Sequence, residues 1–176
     1  GRLSEPINNK IQSFPWYTWE KEFIWANKIG ICNMEWTLDF EKIDQNPLML
    51  KRGRRQISIL KKKYNLKIPS ITCDCFMQKP FWKITDINER GSIINYFYSL
   101  VDACNEIGCF ILVLPLVDNG GLENEEQEKF LINFFRENSS LIKNNKIKIA
   151  FEIDYEPKRV SNFIKQFDNE SIGINY

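Results

Sequence analysis

The stretch CFILVLPLVD, running from Cys109 to Asp118, decides the fold. Nine consecutive residues carry no charge and no strong polarity, and the tenth is an acid. Unbroken hydrophobicity over this length, rich in β-formers, is the mark of a strand covered on both faces, as in parallel sheets. Gly108 stands before it and Asn119-Gly120-Gly121 after it, so the run is punctuated at both ends.

On its N-terminal side Ile93, Phe97, Leu100, Val101, Cys104 and Ile107 recur at helical spacing, and Gly108 takes the usual glycine position past a helix end. On its C-terminal side Phe130, Leu131, Phe134, Phe135, Leu141 and Ile142 read as one helical stripe. The same unit repeats outward. Apolar runs occupy Ile31–Trp36, Ile68–Cys73, Ile147–Ile153 and Ile172–Tyr176. Helical patterns lie between them. Trp19, Phe23, Ala26 and Ile29 form one, ended by Gly30. A weaker one runs from about Leu48 to Tyr64, with charge at Lys51, Arg52, Arg54 and Arg55. Val160, Phe163, Ile164 and Phe167 form the last, opened by Pro157. Strand starts at 31, 68, 109, 147 and 172 are spaced by about 37, 41, 38 and 25 residues.

Repeated β-α units imply a parallel sheet with right-handed crossovers. A doubly wound sheet would carry a glycine-rich phosphate turn after an early strand, and no G-x-G-x-x-G follows any of these runs. Acids stand at the strand ends instead: Glu35, Asp74, Asp118 and Glu152. A (β/α)₈ barrel builds its site from such positions, so the α/β TIM barrel is the expected fold. Eight units require about 250 residues. The 176 residues present provide about six strands, counting one expected before Trp16. The reading is one partial barrel domain over residues 1–176, its N-terminal two-thirds.

Composition narrows the function. Lys and Arg number 24 against 23 Asp and Glu, a net charge of +1, so nothing asks for a nucleic-acid partner. No apolar run approaches the roughly 20 residues that span a bilayer, so no membrane association is expected. Five cysteines, an odd number, with no leader-like start fit a reduced, cytoplasmic protein with buried thiols. Histidine is absent. That excludes a Ser-His-Asp triad, a Cys-His dyad and a His-rich zinc site within these residues. A homo-oligomer is left open.

Six segments in register, GRLSEPINNKIQSFPWYTWEKEF (1–23), GICNMEW (30–36), ITCDCFM (71–77), VLPLVD (113–118), IAFEID (149–154) and IGINY (172–176), resemble the sugar phosphate isomerase/epimerase family of the xylose isomerase-like TIM barrels. The resemblance implies a metal-dependent isomerase or epimerase of a small sugar or sugar phosphate. It implies one divalent metal, Mn²⁺ first and Mg²⁺ or Zn²⁺ as alternatives, held by two Glu, one Asp and one His. Glu152 matches the first of these ligands and would double as acid/base. The matching Asp would follow IGINY, and the His and second Glu would lie further on. Such chemistry needs acids because a proton must leave carbon beside a carbonyl and return, while a cation stabilises the ene-diolate. Phosphodiesterases of the same superfamily, the AP endonucleases, use early-strand histidines that are missing here. The other reading is a catalytically incomplete sugar-binding or interaction protein on the same barrel.

Each candidate also has an ordinary reading. Glu152 could be a solvent-facing strand-end acid or a cap for the helix at Pro157. Glu35 could bond substrate hydroxyls or hold a neighbouring strand. Asp74 and Asp118 share that ambiguity, and Asp39 reads as a turn residue. Trp16 could wall a sugar pocket or pack on the barrel rim. Cys73 and Cys75, expected on one strand face, read as buried thiols because no second ligand pair accompanies them. Lys61-Lys62-Lys63 reads as a solvated helix end favoured by the dipole.

Overall fold

In a computed structural model, described over residues 3–5, 13–167 and 170–175, each apolar run becomes a strand. These are β1 (Asn33–Thr37), β2 (Lys67–Thr72), β3 (Ile111–Leu116), β4 (Lys148–Ile153) and β5 (Ile172–Ile174). They form one sheet in the order β1-β2-β3-β4-β5, every pair parallel. Helices return the chain between them: α1 (Trp19–Lys28) before β1, α2 (Lys51–Tyr64), α3 (Asp74–Gln78), α4 (Ile87–Ile107), α5 (Glu125–Glu137), α6 (Ser139–Asn144) and α7 (Pro157–Ile164). The strand expected before Trp16 falls largely at positions 6–12, outside the described residues.

Local chemistry sets the helix ends. Asp86 caps α4 by accepting from the Glu89 amide at 2.8 Å, and Asn124 caps α5 through Gln127 at 3.0 Å. Gly108 ends α4 at φ 69°, a left-handed backbone that costs glycine nothing. Pro157 occupies the first turn of α7, where its missing N–H is not needed.

Alternation along each strand divides the sheet into two faces. On one face Trp36, Ile71, Leu112, Leu114 and Phe151 are buried against the helices. Rings continue this layer outward: Phe97 meets Phe134 at 5.2 Å and Phe135 at 5.8 Å, and Phe135 meets Phe151 at 5.4 Å. Such edge-to-face contacts add to the burial that drives the layer together.

Four sequence expectations change. The stripe at 130–142 is two helices, because Asn138 interrupts it and spends its side chain on the Phe134 carbonyl at 2.9 Å. Ile29 lies just past α1 and is 64% exposed, so it is not part of the buried face. The second helix starts at Lys51, with Leu48 and Met49 packed in the turns before it. Asp74 does not end a strand: β2 stops at Thr72, and Asp74 opens α3. Cys75 is therefore helical, and Cys73 and Cys75 do not share a strand face, although both are buried.

Candidate active site

The sheet face turned away from the helices carries the polar strand residues. Register places Glu35 beside Ser70, Thr37 beside Thr72, and Pro115 beside Glu152. Along this face β2 contributes hydroxyls, β3 contributes Ile111, Val113 and Pro115, and β4 and β5 contribute Ala150 and Gly173, which are paired with each other. Small residues there leave room above the sheet.

Glu152 is the penultimate residue of β4 and half-buried. Among the described residues no hydrogen bond or ion pair engages it. A half-buried carboxylate without a protein partner, at the C-terminal end of a parallel strand, is placed to meet a ligand. Glu35 is on the same face but in another row. Its row runs through Ser70 and Ile111 to Lys148, four residues before Glu152, or about 13 Å along the strand at 3.3 Å per residue. Both its oxygens are taken, Oε2 by the Ser70 hydroxyl and Oε1 by the Thr72 hydroxyl, each at 2.6 Å.

Asp118 stands two residues beyond β3, exposed, and opens the 3₁₀ turn Asp118–Gly120 at φ 49°. Asp74 is buried at 2% exposure and engaged within the fold. Burial, and then the Asp74 charge, pushes the Cys75 thiol up, while burial is the chief cause of the rise at Cys73. These two sulfurs are neutral thiols, unsuited to hold a cation. Trp16 is half-buried, edge-on to Phe14 at 4.9 Å, with the Lys42 ammonium 6.0 Å from its ring.

Asp39, read from sequence as a turn residue, knits the rim on which Trp16 sits. Its Oδ2 accepts from the Phe14 amide at 2.6 Å and its Oδ1 from the Gln78 side-chain amide at 2.8 Å; Gln78 Oε1 in turn accepts from the Phe40 amide at 2.8 Å. One carboxylate thus joins the N-terminal segment, the loop after β1 and the end of α3. Its partners lie 25 and 39 residues away in sequence, so no local pattern could have disclosed them. A second clamp is Asn119, which donates to the Met77 carbonyl at 2.9 Å, beside Trp82, whose indole N–H donates to the Gly120 carbonyl at 3.1 Å.

No group of three or more Cys, Asp or Glu suited to a metal exists among the described residues. They supply one hard oxygen donor of the expected set, Glu152, and do not by themselves form a complete cation site. A cleft of about 370 Å³ opens elsewhere, beside Trp19, Leu50, Arg52 and Gln56, and borders none of the candidate acids. No described helix is long and apolar enough to cross a membrane.

No protein-family model and no curated protein matches the chain. Solved structures do. A D-psicose 3-epimerase with D-tagatose from Clostridium cellulolyticum H10 superposes at TM-score 0.67 and 10% identity, over 89% of this chain and 56% of that one. A xylose isomerase-like TIM barrel protein from Mycobacterium smegmatis, in complex with magnesium, gives 0.65 and 17%, over 92% and 56%. The probable 3-DHS dehydratase AsbF from Bacillus anthracis gives 0.63 and 14%, over 95% and 58%. At these identities the likeness is one of fold. The chain therefore has the fold of a xylose isomerase-like TIM barrel, over a stretch spanning little more than half the length of each of these three proteins.

Proposed function

We propose that this chain contributes to a metal-dependent isomerase or epimerase acting on a small sugar or sugar phosphate, with Glu152 as acid/base and first metal ligand. The observation that carries it is Glu152 itself: a half-buried carboxylate, without a partner among the described residues, at the end of a parallel strand on the open face. The epimerase neighbour bound to a sugar and the barrel neighbour bound to magnesium supply the substrate class and the cation class. A divalent cation, with Mn²⁺ favoured over Mg²⁺ and Zn²⁺, would neutralise charge developing on the substrate oxygens.

The chain's own part is narrower. Glu152 takes the proton from carbon beside the carbonyl and returns it. No hydrogen bond among the described residues takes its carboxylate, which leaves one oxygen for the cation and one for the proton. Asp118 and Trp16 stand at the rim as hydroxyl and ring contacts. Asp74 and Glu35 are committed to the fold, and they serve substrate binding by shaping the floor and wall of the site.

The test is Glu152→Gln in the full-length protein, loaded with Mn²⁺ and offered a panel of ketoses in D₂O. Loss of a positioned acid/base is expected to lower solvent exchange at the carbon beside the carbonyl by about 10²-fold or more. Exchange and metal content equal to wild type would overturn the assignment. A wild-type protein that binds sugar without exchange would favour the non-catalytic reading.

A further inference from the structure

Where α4 passes into β3, at the end of the sheet away from Glu152, two cysteines are brought together by the turn itself. Gly108 and Cys109 both direct their amide N–H groups to the Cys104 carbonyl, the latter at 3.0 Å. This closure places the side chain after the glycine against one in the last helical turn. Here those side chains are Cys109 and Cys104, both buried, and the Cys109 thiol donates to the Pro69 carbonyl at 3.3 Å and to the Ile111 carbonyl at 3.5 Å. Neither is bridged. The backbone bond keeps their Cα atoms close, and a disulfide needs a separation of about 4.4–6.8 Å. Lys61, in the last turn of α2, donates its ammonium to the Ile107 carbonyl and lies beside the same turn.

We propose that Cys104 and Cys109 form a modification site, a dithiol that peroxides oxidise to an intramolecular disulfide, with Cys109 attacking and Cys104 resolving. The two sulfurs are unlike. The Cys104 side chain beside it holds the Cys109 thiol below its ordinary value, and the Lys61 charge adds to this. The neighbouring Cys109, then burial, pushes Cys104 up. Cys109 is also the more open, at 5% exposure against 0% for Cys104. A lowered thiol beside a cation is the reactive kind, and a neighbouring thiol is what resolves it.

The steps balance. Cys109 gives its proton to solvent and its thiolate attacks one peroxide oxygen; the S–O bond forms as the O–O bond breaks, and the departing hydroxide becomes water. Cys104 sulfur then attacks the Cys109 sulfur. The S–S bond forms, the S–O bond breaks, and the second water leaves with the Cys104 proton. Two thiols lose two electrons and hydrogen peroxide is reduced to two waters. Cys73 and Cys75 do not compete, since burial keeps both protonated.

The test treats the full native chain with hydrogen peroxide, blocks remaining thiols, and maps the peptides. The expected product is a linked Cys104–Cys109 peptide pair, 2 Da lighter than its dithiol form and restored by dithiothreitol, with Cys73 and Cys75 still blocked as thiols. Cys104→Ser should accumulate a dimedone-reactive sulfenic acid at Cys109, whereas Cys109→Ser should leave Cys104 unoxidised. Because the wild-type map alone identifies the pair, the test survives a variant that fails to fold. Oxidation confined to the exposed Cys32, or a sulfenic acid at Cys104 in place of Cys109, would overturn the proposal.

Discussion

Two carboxylates in the first β-α unit show how position decides worth. Asp39 is 9% exposed and accepts one backbone and one side-chain N–H; removing it strands the amide of the buried Phe14, while the exposed Gln78 can turn to water. Glu35 is exposed and accepts two neutral hydroxyls, of which that of Ser70 can turn to water in its place. Hydrogen bonds to a buried charge are worth about 1.5–3 kcal/mol net, neutral or hydrated ones about 0.5–1.5. Asp39→Ala is therefore expected to lower unfolding stability by about 2–3 kcal/mol, and Glu35→Ala by about 1 kcal/mol or less, as read from urea midpoints at constant slope. Equal losses would show that Glu35 is as structural as Asp39. Sequence could weigh neither. Glu35 was recognisable as an inward-facing acid from its strand, but its partners Ser70 and Thr72 belong to another strand and register is not a local property. Asp39 looked like any acid after a strand, because what distinguishes it is the amide of Phe14 folded back onto it.

At the level of elements, what is periodic or continuous was legible and what is short was not. Runs of β-formers gave all five described strands to within a few residues, most cleanly β3, which is buried almost throughout and has no polar position to confuse the reading. The five-residue α3 gives no signal, because one and a half turns cannot display a 3.6-residue stripe, and its first residue reads from sequence as a strand end. The loop after β3 is one place where main chains approach closely. A side-chain carbon at Gly120 would lie 2.5 Å from the Pro115 carbonyl oxygen and 3.1 Å from Met77 Cα, both main-chain atoms. Gly120→Ala should cost about 1–3 kcal/mol and, by displacing α3, weaken the rim that bears Asp118; Gly91→Ala, with open space around it, is the control expected to be neutral or stabilising. The pair α2 and α4 is tied instead by charge. Arg54 holds the Glu106 carboxylate through two N–H donors at 2.8 and 3.0 Å, and that hydrogen bonding keeps Glu106 below its ordinary value. A carboxyl lowered on folding contributes above its unfolded value and loses the contribution as pH falls through its folded one. The stability difference between wild type and Glu106→Gln should accordingly be present at pH 7 and vanish in acid; a difference that persists there would mean the pair acts through packing alone.

For the molecule as a whole, the strand order leaves β1 and β5 each with one neighbour among the described residues. Unpaired edges of a parallel sheet are templates for a further strand, and in a closed barrel that strand comes from the remaining units. The site depends on the same closure. A divalent cation such as Mn²⁺ or Mg²⁺ wants several oxygen ligands in one cage, and no group of three or more candidate donors exists among the described residues. One candidate acid, Glu152, was therefore readable here from its place at the end of the IAFEID run, because a strand end is a local feature and the convergence of donors from several strands is not. A single carboxylate loses most of its attraction for a hydrated cation to water, and only convergence of several makes dehydration worthwhile. The 176-residue chain titrated calorimetrically with Mn²⁺ is thus expected to show no micromolar binding and no ketose epimerisation, while sedimentation shows self-association through the open edges. A protein extended through the later barrel strands should bind Mn²⁺ and stay monomeric at its sheet edges. Micromolar binding by the shorter chain would mean that its donors come from elsewhere, and that Glu152 is not the start of the metal site.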